Sequence, residues 1–255
     1  MVIRTEYGNG KPDILPPIIY KYSRLDEYFF QHLIKNELWF SKPPEFNDPY
    51  DCNICFALKP LENQRQFKQK YYDYRSLRNK NIEGLSEKEI LKLMKPEIEL
   101  INENKLIKDA KNQVNETGIC CFSATNNNLL MWSHYSDAHK GVCVGYSVDR
   151  LKEVFSNIYR VKYGKKFPLV KFKVNSFAEV PKKIMTHKSI DWKYEKEIRI
   201  IHQSGLHSFK RKAIKEIIFG LNTPISQIKS IMALLFQLDY KHVELKQVII
   251  SDNEY

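Results

Sequence analysis

The chain has 255 residues, with 41 Lys+Arg against 30 Asp+Glu, a formal net charge of +11 and 43% hydrophobic residues. That apolar share is enough for a packed core and excludes wholesale disorder. No stretch approaches the roughly 20 consecutive apolar residues of a membrane-spanning helix, and the N-terminal MVIRTEYGNGKPD lacks the apolar region and cleavage site of a secretory signal, so a cytoplasmic protein with no membrane partner is expected.

Residues 1–17, punctuated by Gly8, Gly10, Pro12, Pro16 and Pro17, read as an N-terminal arm. Residues 18–22 then have the character of a short strand. Leu25, Tyr28, Phe29, Leu33 and Ile34 recur at helical spacing, which predicts a helix over 24–36 with Ser23 as its N-cap. Leu38, Trp39 and Phe40 read as a buried strand. KPPEFNDPYD, dense in Pro, Asn and Asp, reads as a shaped loop, and residues 52–58 as a resumed strand. From about 61 to 116 the composition shifts to charged and amide residues with helical periodicity, a helical insertion in which Ser86 and Glu89 have the form of a capping box.

Beyond Gly118, GICCFSA is a compact apolar strand, NNNLLMWSHYS a loop and helix, and GVCVGYSV another strand. A short helix is expected over 151–156 and strands over 159–163 and 169–174. Another strand, containing Ile198, Ile200 and Ile201, is entered through Trp192 and Tyr194. Residues 214–219, a helix over 224–238 and residues 243–250 complete the chain. This irregular mixture favours an α+β class over a doubly wound sheet, as a single domain over 18–255 carrying the insertion. Neither GxGxxG nor GxxxxGK[ST] occurs, which removes the Gly-rich phosphate loops.

Five cysteines, an odd number, fit reduced thiols better than a disulfide framework. Cys52 and Cys55 form a CxxC, and Cys120 adjoins Cys121, yet adjacent strand residues point to opposite faces, so a four-thiolate zinc site is not favoured and no metal is expected.

Four groups of residues carry chemical interest. Tyr20, Lys21 and Tyr22 place two phenols on one face of a strand and an amine on the other, as a site or as an amphipathic edge. Ser41, Phe46, Asn47, Asp48, Pro49 and Asp51 form a rigid turn or part of a site. Cys121, Phe122 and Ser123 precede Asn128, Trp132 and Tyr135, whose spacing puts the last three on one helix face, with Met131 and His134 alongside. His134 and His139, five apart, are a poor metal pair. In the fourth group, a strand would set Glu195, Glu197 and Arg199 on one face, two carboxylates for one guanidinium. Separately, Arg160, Lys162, Lys165, Lys166, Lys171 and Lys173 alternate with Tyr159, Tyr163, Phe167 and Phe172, a mixture that suits phosphate contacts with base stacking or, equally, a solvated edge.

LWFSKPPEFNDPYD, CFSATNNNLLMWSHYSDAHKGVCVGY and WKYEKEIRII resemble, in that order, the bacterial domain of unknown function family 2971. The order of parts also resembles the ADP-ribosyltransferase fold, which implies a split mixed β-sheet core and NAD as substrate. By that resemblance Glu197 holds the nicotinamide ribose, Glu195 faces the acceptor, Phe122 and Ser123 form the motif that orients NAD, and Trp132 or Tyr135 stacks on nicotinamide. Lys21 or Tyr22 stands where the fold usually has His or Arg, and Ser41 and Asn47 complete the expected NAD-binding set. The implied activity is transfer of ADP-ribose from NAD to a protein or nucleic-acid acceptor, as a toxin or phage-defence effector. The competing expectation is a non-catalytic nucleic-acid or nucleotide-binding module, motivated by the +11 charge.

Overall fold

A computed structural model describes residues 14–53, 103–167 and 179–250. The chain forms two compact units: Met1–Lys42 with Gly118–Tyr163 and Ile190–Tyr255, and Pro43–Thr117 with Gly164–Ser189. Among the described residues no helix is long and apolar enough to cross a membrane.

The first unit is built on a seven-stranded mixed sheet. Its strands are β1 (Ile18–Ser23), β3 (Thr117–Ser123), β4 (Val142–Ser147), β5 (Ile158–Arg160), β8 (Glu197–Gln203), β10 (Ile214–Phe219) and β11 (Glu244–Gln247), in spatial order β11-β10-β4-β1-β3-β8-β5. β1 pairs antiparallel with β3 and β4, as do β4 with β10 and β5 with β8, while β10 and β11 run parallel. β2 (Glu37–Phe40) and β9 (Gly205–Ser208) form a separate antiparallel pair, and two further three-residue strands are β6 (Lys162–Gly164) and β7 (His187–Ser189).

Alternation divides the large sheet into two faces. Ile19, Phe122, Val144, Tyr146, Ile198, Ile200, Ile217 and Phe219 share the main core with Phe29 and Leu33 of α1 (Glu27–Lys35) and Ile228, Ile231 and Leu235 of α6 (Ile225–Gln237). A smaller cluster joins Tyr22, Cys143 and Ile218 to Met131 and Trp132 of α3 (Leu129–Tyr135). The chain's polar chemistry gathers beside this smaller cluster.

Local physics shifts several expected boundaries. Ser23 does not cap α1: it pairs with Val142 as the last residue of β1, and Asp26 takes the capping role, its side chain accepting the Phe29 N–H. Asn36 ends that helix in the left-handed conformation, φ 57°. β2 is half-buried, because Trp39 is exposed between buried Leu38 and Phe40. The helix expected over 151–156 is α4 (Val148–Lys152), since Ser147 already accepts the Arg150 N–H and starts it earlier. The strand expected over 159–163 is interrupted at Val161, whose N–H donates to Glu197 O. Cys52 belongs to a turn and Asn53 to no regular element. The rest of the strand expected over 52–58, most of the insertion, Cys55, and the strand expected over 169–174 with Lys171, Phe172 and Lys173 lie outside the described residues.

In the second unit the insertion's last segment, α2 (Glu103–Glu116), packs with α5 (Glu179–Met185) and with the 3-10 turn Pro43–Glu45. Neither α5 nor β9 has a clear signature in the sequence. α5 contains Pro181 within seven residues, and β9 is only four residues long.

Candidate active site on the second face of the sheet

The pairing register assembles the site in the first unit. Tyr20 stands opposite Ser123 on one side and Gly145 on the other, and Tyr22 opposite Cys143. Side chains of paired residues leave the sheet on the same side, so β1 presents Tyr20 and Tyr22 to the face that carries Cys121 and Ser123. Cys120, one residue from Cys121, lies instead in the main core.

Glu195 is not on the strand. The segment Ile190–Glu195 is a 3-10 turn, Lys196 takes a left-handed φ of 45°, and β8 begins at Glu197. The expected alternation from Glu195 to Arg199 therefore holds only for Glu197 and Arg199. Ser123 anchors the turn: its buried hydroxyl donates to Glu195 O at 2.7 Å and accepts the Thr125 N–H at 3.1 Å. The Ala124 N–H donates to Lys196 O, tying the end of β3 to the residue between the two glutamates.

The two carboxylates have different partners. Arg199, fully buried, donates from Nε to Glu197 Oε1 at 2.7 Å and from Nη2 to Glu197 Oε2 at 3.0 Å. A forked, charge-assisted pair of this kind fixes the carboxylate plane. Tyr135 OH donates to Glu195 Oε1 at 2.7 Å. Arg199 and Tyr135 are thus among the groups that meet the two acids. Both carboxylates are held nearly out of water, Glu195 at 3% and Glu197 at 4% exposure. The Cys121 thiol lies beside this pair, and burial, followed by the charge of Glu197, pushes it well above its usual range.

Helix α3 covers this region because its first turn is locked at both ends. Asn128 caps it, accepting the Met131 N–H, and the same side chain donates to Tyr194 O. Trp132 Nε1 donates to Asn126 O at 2.8 Å, and the indole meets the Tyr22 ring edge-on with centroids 5.2 Å apart. Tyr22 OH donates to Thr125 O at 3.0 Å. Burial comes first among the causes that raise its phenol far above the usual range. His139 stacks on Trp132 with centroids 6.3 Å apart.

Tyr22, Ser123, Trp132, Tyr135, Glu195 and Glu197 therefore lie in one region of the first unit. Lys21 and Phe122 do not share it. The Lys21 ammonium sits 5.5 Å from the Phe122 ring centre and donates to Cys121 O, and Phe122 packs edge-on against Tyr146 in the main core. Ser41 exchanges backbone hydrogen bonds with Ile119. Asn47 is exposed in the second unit.

Two features escape the sequence reading. The Glu197 N–H donates to the Tyr163 hydroxyl at 2.7 Å, a contact between residues 34 apart. Glu216, 4% exposed, stands opposite Gly145 and pairs with Lys246 at 2.6 Å. Tyr20 neighbours the same carboxylate, and burial, then that neighbour, push its phenol up to about 12. A lone acid in the apolar strand IKEIIF was the available signal. Gly145 leaves the space the acid needs, since a Cβ there would come within 2.7 Å of Glu216 Cγ.

Residues 131–200 match the model of a family described as a protein of unknown function (DUF2971). The match includes Trp132, Tyr135, Glu195, Glu197 and Arg199, and stops short of Tyr22 and Ser123. No curated protein and no solved structure matches the chain.

Proposed function

We propose that the protein is an ADP-ribosyltransferase-like enzyme that cleaves NAD and passes ADP-ribose to a macromolecular acceptor, as a toxin or phage-defence effector. The observation that carries this reading is the paired setting of Glu195 and Glu197, one carboxylate on Tyr135 and the other on Arg199, beside Ser123. In such a reaction the bond between C1′ of the ribose and the nicotinamide nitrogen breaks, and its electrons leave with nicotinamide. An acceptor nucleophile then bonds to C1′ and gives up a proton. Positive charge builds on the ribose, and an oriented carboxylate stabilises it. Glu197 serves that role, Glu195 addresses the acceptor, and Trp132 or Tyr135 supplies an aromatic surface for nicotinamide. The burial of both carboxylates means that Tyr135 must leave Glu195 as substrate enters.

The test is nicotinamide release and labelling of protein and nucleic-acid acceptors by purified protein given NAD. Wild type is expected to turn over. Glu197→Gln should fall by about 10²-fold or more, the scale of losing one preorganised electrostatic partner. Because Glu197→Gln strands Arg199, the double variant with Arg199→Met is assayed beside it after confirming its melting temperature. If NAD neither raises the wild-type melting temperature nor yields nicotinamide with any acceptor, the reading is rejected.

A second reading, a non-catalytic nucleic-acid or nucleotide-binding module, is favoured by Lys165, Lys166 and Phe167, all exposed in the second unit. Oligonucleotide affinity that drops steeply with salt supports it, and affinity indifferent to salt removes it.

A further inference from the structure

Three histidines that neither reading uses, His32, His202 and His207, gather at the two ends of the β2–β9 ribbon. The ribbon runs from Glu37 opposite Ser208 to Phe40 opposite Gly205, and among the described residues no further strand joins it. A two-stranded ribbon is marginal in water by itself, so the side chains at its ends decide whether it stays closed.

At the Glu37 end, His32 of α1 points Nδ1 at Glu37 O and Nε2 at the Tyr146 hydroxyl, and its ring packs on Phe209, which follows β9, with centroids 5.2 Å apart. Glu37 O can only accept, so Nδ1 carries the proton and Nε2 accepts from Tyr146. A second proton would put a charge in a buried site that already feels Lys21.

At the Phe40 end, His202 of β8 and His207 of β9 lie ring to ring, centroids 4.2 Å apart, on either side of the turn at Ser204 and Gly205. His207 Nε2 donates to Gln203 O at 2.9 Å. His202 packs against the rings of Phe40 and Phe155, and its Nδ1 is, among the described residues, the one buried side-chain nitrogen or oxygen without a hydrogen-bond partner. Both ring nitrogens carry protons in the charged form, so charging His202 buries a donor with no acceptor. His207 is the titratable neighbour whose charge bears on it, and it opposes that charge. Glu37 lies on the other face of the ribbon from His207, and Glu153, near Phe155, is taken by Arg150 and Lys210. Gly205 has a φ of 107°, and the space where a Cβ would stand is open, so the turn has room to move.

We infer that the β2–β9 ribbon is an acid-released latch, closed while His32 and His202 are neutral and opened about the Ser204–Gly205 turn when they take up protons. Opening bares Phe40, which is fully buried in the closed ribbon. In the open form both rings meet water, where an imidazole binds its proton near pH ~6.5. Below that value the open form holds up to two more protons than the closed one, so the opening constant rises by up to about 100-fold per pH unit. The latch depends on neither NAD nor acceptor, and its test uses neither.

Hydrogen–deuterium exchange on the full chain, corrected for the intrinsic pH dependence of amide exchange, reads the opening. Residues 37–40 and 205–208 should be less protected than β4 at every pH, and their protection should fall at least about tenfold between about pH 7 and pH 5. His202→Phe keeps an aromatic ring against Phe40 without the titration, and His32→Gln keeps a donor for Glu37 O. The first should make the fall shallower, and the two together should remove it. If the double variant unfolds, His202→Phe alone decides. Ribbon protection equal to that of β4 would mean that the ribbon opens only with the whole fold. That result, a ribbon indifferent to pH, or an unchanged pH response in folded His202→Phe would each overturn the latch.

Discussion

At the scale of single residues, His32 is a lever for acid pH. Its Nε2 faces the Tyr146 hydroxyl, its Nδ1 faces Glu37 O, and burial lowers its pKa from 6.5 to about 4. The native ring is therefore neutral where the unfolded ring is already protonated. The stability this confers is complete above the unfolded value and is lost as pH falls from about 6.5 toward 4, by up to about 3 kcal/mol. His202, whose pKa is also lowered by burial, acts in the same direction. Urea titrations across that window should show the decline in wild type and a shallower one in His32→Gln. Ser123 is the corresponding positional anchor. Ser123→Ala should cost about 1–3 kcal/mol, because it strips the donor from buried Glu195 O and the acceptor from the Thr125 N–H.

At the scale of elements, helix starts are set by side chains that accept particular N–H groups. Asp26 defines the start of α1 and Asn128 that of α3. Asp26→Ala should lower stability by about 1 kcal/mol in equilibrium unfolding, and Asp26→Asn by much less, since Asn caps nearly as well. Helical spacing found α1 but misplaced its start, because spacing does not tell which of two polar residues is free to cap. In the fourth motif the strand pattern was legible from Glu197 onward and misleading before it, since nothing local announces that Lys196 adopts a left-handed φ. Close approach between elements is equally invisible: a Cβ at Gly118 would lie 2.4 Å from Gln203 O and 2.6 Å from Ser204 Cα. These are backbone atoms that cannot rotate away, so Gly118→Ala should cost about 3 kcal/mol or leave the protein unfolded, as circular dichroism melting will report.

At the scale of the whole molecule, the long-range pairing of β1 with β3 and β4 brings residue 20 beside residues 123 and 145. β4 is flanked by β1 and β10 and buried from Val142 to Tyr146, so its amides should exchange slowest in hydrogen–deuterium exchange, while those of the exposed edge strand β11 exchange first. Faster exchange in β4 than in β11 would contradict the strand order.

The sequence alone determined the mixed α and β character, the presence of β1, β3, β4, β10 and α6, and the segments that carry chemistry. These depend on periodicity, capping residues and turn-formers, which act over a few positions. Only the tertiary structure decided that Lys21 and Phe122 turn away from Ser123, that Arg199 grips Glu197 while Tyr135 holds Glu195, and that Glu216 sits beside Tyr20. Strand register governs the first and the last, because one residue of slip reverses every side chain on a strand. It is set jointly by pairings between distant segments, such as Ile18 with Ser147, and no local window of sequence contains them.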